Sequence, residues 1–275
     1  MGSPMVLNMG IGADSNGISW IIQKLEGWDG PEVVGQVIQR AADHGAYPAA
    51  QFFGPRLMTL TLRASAPDQA TRDLARSILG QVLPVNDLCT FTYNEPIPKV
   101  AYVRRSGKIT ETYDNLCEVV FSILMVAPDP RKYSQTVYAS GSASSSAAAP
   151  ITIPAVVPFT LNSGVVPGSI QMMDPGNFPS FPQMTIWGPI TGPAITLLQT
   201  GQTVSWWNQL VTLRPGDRMT VDFDAKQAFL NGVYVPADVT SGWFTMNPGP
   251  NTVVIFSVAG AAAGQLVAAY QAAWI

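Results

Sequence analysis

Alternation of apolar and polar residues runs through most of the chain. In "RLMTLTLRA", Met58, Leu60 and Leu62 fall on one side and Thr59, Thr61 and Arg63 on the other, the period of a half-buried strand. "GISWIIQKLEGW" is a second strand candidate, bounded by Gly17 and the turn "WDGP". One segment switches period. In "SAPDQATRDLARSILG" the apolar positions Ala70, Leu74 and Ile78 form a helical stripe, thickened by Ala75 and Leu79. Ser65 is the expected N-cap, Asp68 lies in the first turn, and Gly80 is the expected stop. "LCTFTY" and "LCEVVFSILMVA" add strands. "KVAYVRRSGKITETY" is expected to be a hairpin turning at Ser106–Gly107, with Arg104, Arg105 and Lys108 at its tip.

The pattern lapses at "YASGSASSSAAAP", Tyr138 to Pro150. This Ser/Ala/Gly tract has no apolar face and suggests a flexible linker, or a loop inside one domain. Beyond it, short strands recur between turn signals: "PFTLNSG", "SIQMM", "MTIWGP", "AITLLQTG", "RMTVDFD", "AFLNGVYV", "GWFTM", "NTVVIFSV" and "LVAAYQAAW". Such spacing predicts an all-β sandwich. In the last segment Leu266, Ala268, Tyr270, Ala272 and Trp274 share a face. The uncharged stretch from Thr252 to Ile275 therefore fits two buried strands and a loop better than a membrane span.

Chemistry is sparse. "DRMTVDFD" places Asp222 and Asp224 on one polar strand face, roughly 6–7 Å apart at the usual strand rise. That separation suits a carboxylate pair, but nothing apolar is interleaved to raise a pKa, and a solvated or partner-facing strand is the favoured reading. His44 is the only histidine and sits in a turn context, "AADHGAYP". There is no Gly-x-Ser-x-Gly elbow, no zinc ligand set and no phosphate loop. The expectation is no catalytic residue, no metal, no cofactor and no enzyme activity. Cys89 and Cys117 are expected to be two buried thiols rather than a disulfide framework. Adjacent Trp206 and Trp207 should point to opposite sides of a strand, so one is a candidate for stacking on a sugar ring, with core or interface packing the alternative.

Composition narrows the picture further. A chain of 275 residues suggests two domains at roughly 100–200 residues each. Its net charge of −3 offers no basic surface for nucleic acid. Charged residues make up 12%, about half the roughly 25% of ordinary soluble domains. So few charges suggest a surface hidden in an assembly, or else a secreted Ser/Thr-rich β protein. No Lys or Arg precedes Lys24, which argues against a signal peptide.

The order and spacing of several segments resemble the distal tail protein (Dit), or minor tail protein, family of long-tailed phages. They are "GISWIIQKLEGWDGPEV", "RAADHGAY", "LTLRASAPDQATRDLARSI" and "APDPRKYS" in the first half. In the second they are "TIWGPITGPAITL", "LRPGDRMTVDF", "FLNGV", "WFTMNPGPNTVVIFS" and "YQAAW". The resemblance implies a mainly β fold. Residues 1–137 would be a ring-forming, β-sandwich-like belt with one α-helix, 138–150 the linker, and 151–275 a galectin-like or carbohydrate-module-like β-sandwich. It implies a structural protein: a homohexameric ring joining the tail tube protein to hub, tip and receptor-binding proteins, its lumen continuing the path of the DNA. The location would be the distal end of the virion tail, after assembly in the host cytoplasm. Arg104, Arg105 and Lys108 are candidate ring contacts. The alternative is a glycan-binding module using Trp206 or Trp207. The second half contains no histidine to match a galectin sugar site, and Gly192 stands where some relatives have Asn.

Overall fold

The computed structural model describes residues 5–7, 14–83, 85–144, 146–147, 165–166, 168–257 and 264–275. The predicted strand "PFTLNSG", the "AGAAA" of the last loop and most of the first 13 residues lie outside these. The chain divides into two compact units, Met1–Gln135 with Ile275, and Thr136–Trp274.

The first unit contains β1 (Met5–Leu7), β2 (Ser19–Glu26), β3 (Val33–Gly35), β4 (Ile38–Gln39), β5 (Ala46–Tyr47), β6 (Gln51–Phe53) and β7 (Arg56–Ser65). They are followed by α1 (Gln69–Val82), β8 (Cys89–Tyr93), β9 (Lys99–Tyr113), β10 (Glu118–Ala127) and β11 (Lys132–Ser134). Strand order is β1-β8-β9-β10-β7-β2, with β11 also paired to β9. The period of two in β7 is realised: Met58, Leu60, Leu62 and Ala64 are buried, while Thr59, Thr61 and Arg63 are half-buried on the other face. The buried face joins Phe121, Ile123 and Met125 of β10, Phe91 of β8 and Val103 of β9 in one core.

The helix differs from expectation in start, stop and face. Asp68, not Ser65, is the N-cap: its carboxylate accepts the Thr71 N–H at 2.8 Å. Ser65 is instead the last residue of β7, where its hydroxyl donates to Glu118. The helix runs past Gly80 to Val82. Its buried face is Ala75 and Leu79, extended by Leu83, and Leu74 is exposed. Both sets have helical spacing, and only the docking angle against the sheet selects between them.

The expected hairpin at Ser106–Gly107 is also absent. β9 is continuous for 15 residues. Against β10 its register jumps from Ile123↔Ile109 to Met125↔Arg105, so extra β9 residues bulge out at Ser106–Lys108. A Ser-Gly pair that relaxes the backbone serves a bulge as well as a turn.

The second unit contains β12 (Tyr138–Ala139), β13 (Ala143–Ser144), β14 (Ser146–Ala147), β15 (Val165–Val166), β16 (Gly168–Asp174), β17 (Gln183–Trp187), β18 (Ile190–Thr191) and β19 (Pro193–Leu197). After these come β20 (Thr203–Ser205), β21 (Thr212–Leu213), β22 (Arg218–Asp222), β23 (Gln227–Leu230), β24 (Val233–Tyr234), β25 (Gly249–Ser257), β26 (Gln265–Tyr270) and β27 (Ala273–Trp274). One sheet runs β12-β26-β17-β22-β23-β24, the other β16-β25-β19-β20. Met184, Ile186, Met219, Val221, Leu266 and Ala268 from the first meet Ile170, Met172, Ile195, Leu197, Val253 and Ile255 from the second in a shared core. This is a sandwich. Asn231 and Gly232 have φ of 49° and 86°, the two positive values that a type I′ turn between β23 and β24 requires.

The Ser/Ala/Gly tract corrects the linker reading over 138–144. Tyr138 and Ala139 pair with Tyr270 and Ala269, and Ala143 pairs with Leu266. Tyr138 stacks on Tyr270 at 5.5 Å between ring centroids, and the Ser140 hydroxyl accepts the Ala268 N–H. Backbone pairing along an open edge of β26 needs no apolar alternation, so the tract carries no strand signal. Residues 145 and 148–150 of the tract lie outside the described ones.

The two faces of the first sheet set an expected contrast. Phe121→Ala should cost about 3–5 kcal/mol by core truncation, whereas Thr61→Ala should stay within about 0.5 kcal/mol. Urea unfolding of the two variants checks this.

Candidate functional site

Between β2 and β7 the chain leaves the core to form an arm. The chain turns at Gly27, where φ is 82° and a Cβ would lie 2.0 Å from the Leu57 carbonyl oxygen. Two short hairpin layers follow, β3 on β6 and β4 on β5. Val33 pairs with Phe53, Val34 with Phe52, and Ile38 with Tyr47. Successive strand residues point to opposite faces, so Val33–Phe53 lie on one face and Val34–Phe52 on the other. Both pairs are exposed, Phe52 at 71%. Val37, Ile38 and Tyr47 are exposed as well. At the tip Asp43 takes the His44 N–H and sits 3.4 Å from Arg40, whose guanidinium lies over the Tyr47 ring. His44 is an exposed turn residue. A two-stranded ribbon with two wet apolar faces is marginal by itself.

The root of this arm is the most polar part of the first unit's interior. Arg56 is fully buried at the arm's exit. Its Nη1 donates to the carbonyls of Gly27 (3.2 Å) and Trp28 (2.7 Å) at the arm's entry. Its Nε and Nη2 donate to Pro130 O at 3.0 and 2.8 Å. Lys132 Nζ donates to the same Trp28 carbonyl at 3.1 Å and lies 5.2 Å from the Trp28 ring centroid. The indole packs on Phe91 and Tyr93, and its N–H goes to Glu95, which also accepts from Lys99. Burial holds the Arg56 pKa below its ordinary value. Burial, then the charges of Arg56 and Lys99, bring Lys132 down to about 8, against the pull of Glu95 and Asp29. Glu95 is pushed up by burial, but its bonds from Lys99 and Trp28 prevail and leave it below the usual range.

The residues singled out in the sequence fall elsewhere. Arg104 and Arg105 precede the β9 bulge and Lys108 lies in it, and none makes an ion pair with a described residue. Arg104 and Arg105 line an open depression of 510 Å³ with Val85, Asn86 and Val126. Trp206 is fully buried in the second core, which removes it as a stacking residue, while Trp207 is 43% exposed. Asp238 holds the loop in place: its Oδ2 accepts Ser205 Oγ, Trp207 N and Asn208 N. The carboxylates of "DRMTVDFD" include two turn clamps. Asp222 accepts the N–H groups of Asp224 and Ala225, and Asp217 accepts Arg214 N–H and Asn231 Nδ2–H. Those hydrogen bonds lower the Asp217 pKa. Cys89 is buried, and burial raises its thiol pKa; Cys117, expected to be buried in a strand, is half-buried just before β10, and both are free thiols. Among the described residues no three His, Cys, Asp or Glu side chains gather as a metal site, and no helix is long and apolar enough to cross a membrane.

Sequence reasoning missed the arm. Its strands are two or three residues long and apolar on both faces, so no period registers. The available signal was the run "PEVVGQVIQ" followed by "QFF", apolar residues without a face to bury them.

The buried root makes a pH prediction. Lys132 has a folded pKa near 8, below its unfolded value, so its charged form weakens the fold at low pH. That penalty is relieved as pH rises from the folded to the unfolded pKa, roughly 8 to 10.4. Lys132→Met removes the dependence. Between pH 7 and 10 the Tm of the wild type should therefore gain on that of the variant, as calorimetry would show.

Comparison with known proteins bears on this arrangement. Residues 175–274 match the family model described as siphovirus-type tail component, C-terminal domain. No curated protein matches the chain at a significant level. The chain is similar in structure to the SPP1 Dit (gp 19.1) protein, described as a paradigm of hub adsorption apparatus in phages infecting Gram-positive bacteria. The TM-score is 0.67 at 13% identity, over 93% of this chain and 94% of that one. A chain of the phage P2 baseplate in its activated conformation with Ca matches at TM-score 0.49 and 10% identity, over 93% and 90%. Residues 175–274 of the second unit thus match a siphovirus-type tail component domain, and the chain as a whole shares the fold of the SPP1 Dit protein.

Proposed function

We propose that this tail component is the distal hub of a siphophage tail. Copies of the first unit close into a ring, six of them by the resemblance, coaxial with the tube. The ring joins the tail tube protein to hub, tip and receptor-binding proteins, and its lumen continues the channel for DNA. The second unit serves as a galectin-like docking surface, and the protein is structural rather than catalytic. It acts at the distal end of the virion tail after assembly in the host cytoplasm. The observation that carries this reading is the match of residues 175–274 to a tail-component domain. The 12% charge content supports it, because a closed ring hides two different faces of every subunit.

A glycan-binding role for the second unit has one observation in its favour, the exposed Trp207 beside Asn208 and Gln209. Aromatic faces stack on sugars and neutral amides pair with hydroxyls. If the module binds glycan, Trp207→Ala should abolish retention on host cell-wall polysaccharide while leaving assembly intact.

Mass photometry tests the hub reading. The purified chain, or the chain in a reconstituted tail tip, should appear at a mass several times its 29.4 kDa. A single copy both in solution and in the assembled tail would overturn it.

A further inference from the structure

The larger sheet of the second unit carries unused chemistry on its outer face. Residues alternate along β17, β22 and β26, so every second one turns away from the shared core. The register lays these residues out as a grid. Trp187 sits between Gln265 and Arg218. Two residues along, Thr185, Thr220, Phe229 and Tyr234 follow one another across four strands. Two residues further, Gln183, Asp222 and Gln227 come into line. None of these side chains is buried; Trp187 is 38% and Tyr234 55% exposed.

Aromatic rings stand at two stations on the grid. The Arg218 guanidinium lies 5.9 Å from the Trp187 ring centroid, and Phe229 and Tyr234 pack edge to face at 6.0 Å. By strand spacing and rise, the Cα atoms of Trp187 and Phe229 are roughly 12 Å apart. Around them are neutral polar groups that remain unpaired. The side chains of Gln183, Gln227, Gln265, Thr185 and Thr220 make no hydrogen bond with a described residue. The Arg218 guanidinium makes neither a hydrogen bond nor an ion pair with one. Asp222 already accepts the N–H groups of Asp224 and Ala225.

Such a surface discriminates between kinds of partner. A protein interface centres on apolar area, and amides and hydroxyls covered by it pair imperfectly and weaken binding. A nucleic acid would need several cations, and this face has one. A small molecule would need a concavity, and a sheet face is open. A sugar chain fits. Its rings stack on aromatic faces, and its hydroxyls, each both donor and acceptor, pair with amides that are also both. Two separated aromatic stations suit a polymer lying across the strands rather than a single sugar unit.

Resting on the glycan reading of the second unit and not on the hub reading, we infer that the outer face from Trp187 to Tyr234 is a platform for a cell-surface polysaccharide chain. Trp187, with Arg218 beside it, holds one sugar ring, and the Phe229–Tyr234 pair holds another. Gln183, Thr185, Thr220 and Gln227 bind hydroxyls along the way. This place is separate from the loop of Trp207, which follows β20 in the other sheet.

Isothermal titration of the full-length protein with short soluble oligosaccharides, from a partial hydrolysate of host cell-wall polysaccharide, tests this. Trp207→Ala is the background, because it removes the rival site. Retention on the immobilised polymer draws on both places at once and falls with either, whereas a short soluble chain occupies one at a time. The Trp207→Ala protein should still bind the soluble chain, and adding Trp187→Ala should weaken that binding about tenfold or more. It should also remove the ligand-induced change in tryptophan fluorescence. Gln183→Ala with Gln227→Ala, at two exposed positions, should weaken binding severalfold, a second reading should Trp187→Ala disturb folding by circular dichroism. Binding by wild type but not by Trp207→Ala would overturn the inference and leave the Trp207 loop as the site. Binding that survives Trp187→Ala unchanged would overturn it and spare the glycan reading. Absence of binding by the wild type would remove both. Failed tail assembly of Trp187→Ala would show the face covered by protein and overturn it as well.

Discussion

The first unit depends on a problem of backbone accounting. The chain departs into the arm at Gly27–Trp28, returns at Arg56, and passes the same point again at Pro130. Three carbonyls are thereby drawn together where no strand partner reaches them, and a buried carbonyl without a donor is expensive. One guanidinium answers all three. Its planar fork supplies several N–H groups at fixed angles, which a lysine in that position does not. Lys132 adds a second donor to Trp28, and the indole face beneath it softens the burial of that cation. Two cations with carbonyl ligands and few acids are a costly interior, and the depressed Lys132 pKa is the visible sign of that cost. Replacing Arg56 by an apolar residue would leave the Gly27 and Pro130 carbonyls without this donor, so the cost is retained.

The second unit solves its accounting differently. Its sheets supply most backbone partners, and carboxylates finish the turns. Asp217, Asp222 and Asp238 each collect two or three N–H or O–H groups. Asp174 does the same for Gly176 and Ser180. These acids are spent on local geometry. A cluster of carboxylates in a strand-rich sequence is thus explained by loops that must be held, with no chemistry demanded of it. The apolar alternation of the strands supplies the core, and the acids fix where each strand ends.

Legibility followed the range of the forces involved. The strands β7, β10, β17, β22 and β26 were readable because each has one buried face, and a period of two is a local property. The turn at Asn231–Gly232 was readable because two adjacent residues determine it. The sandwich followed from those, and the single helix from its own apolar stripe. Three things were not local. The face of α1 depends on how it docks against the sheet, so Ala75 and Leu79 could not be told from Ala70 and Leu74. The β9 bulge depends on the partner's register. The pairing of Tyr138 and Ala143 depends on an open edge of β26, far away in sequence. The candidate site was the least legible part. Arg56 looks like any surface arginine at the head of an alternating strand, and its burial arises only when residues 27, 28 and 130 converge on it.

A ribbon that is greasy on both sides has a consequence for the life of the newly made subunit. No rotation or folding-back of so short a hairpin covers one surface without presenting the other to water. Each molecule therefore carries an open invitation to adhere to whatever apolar surface is nearby. Local abundance then matters, since crowding brings such surfaces together and favours clumping.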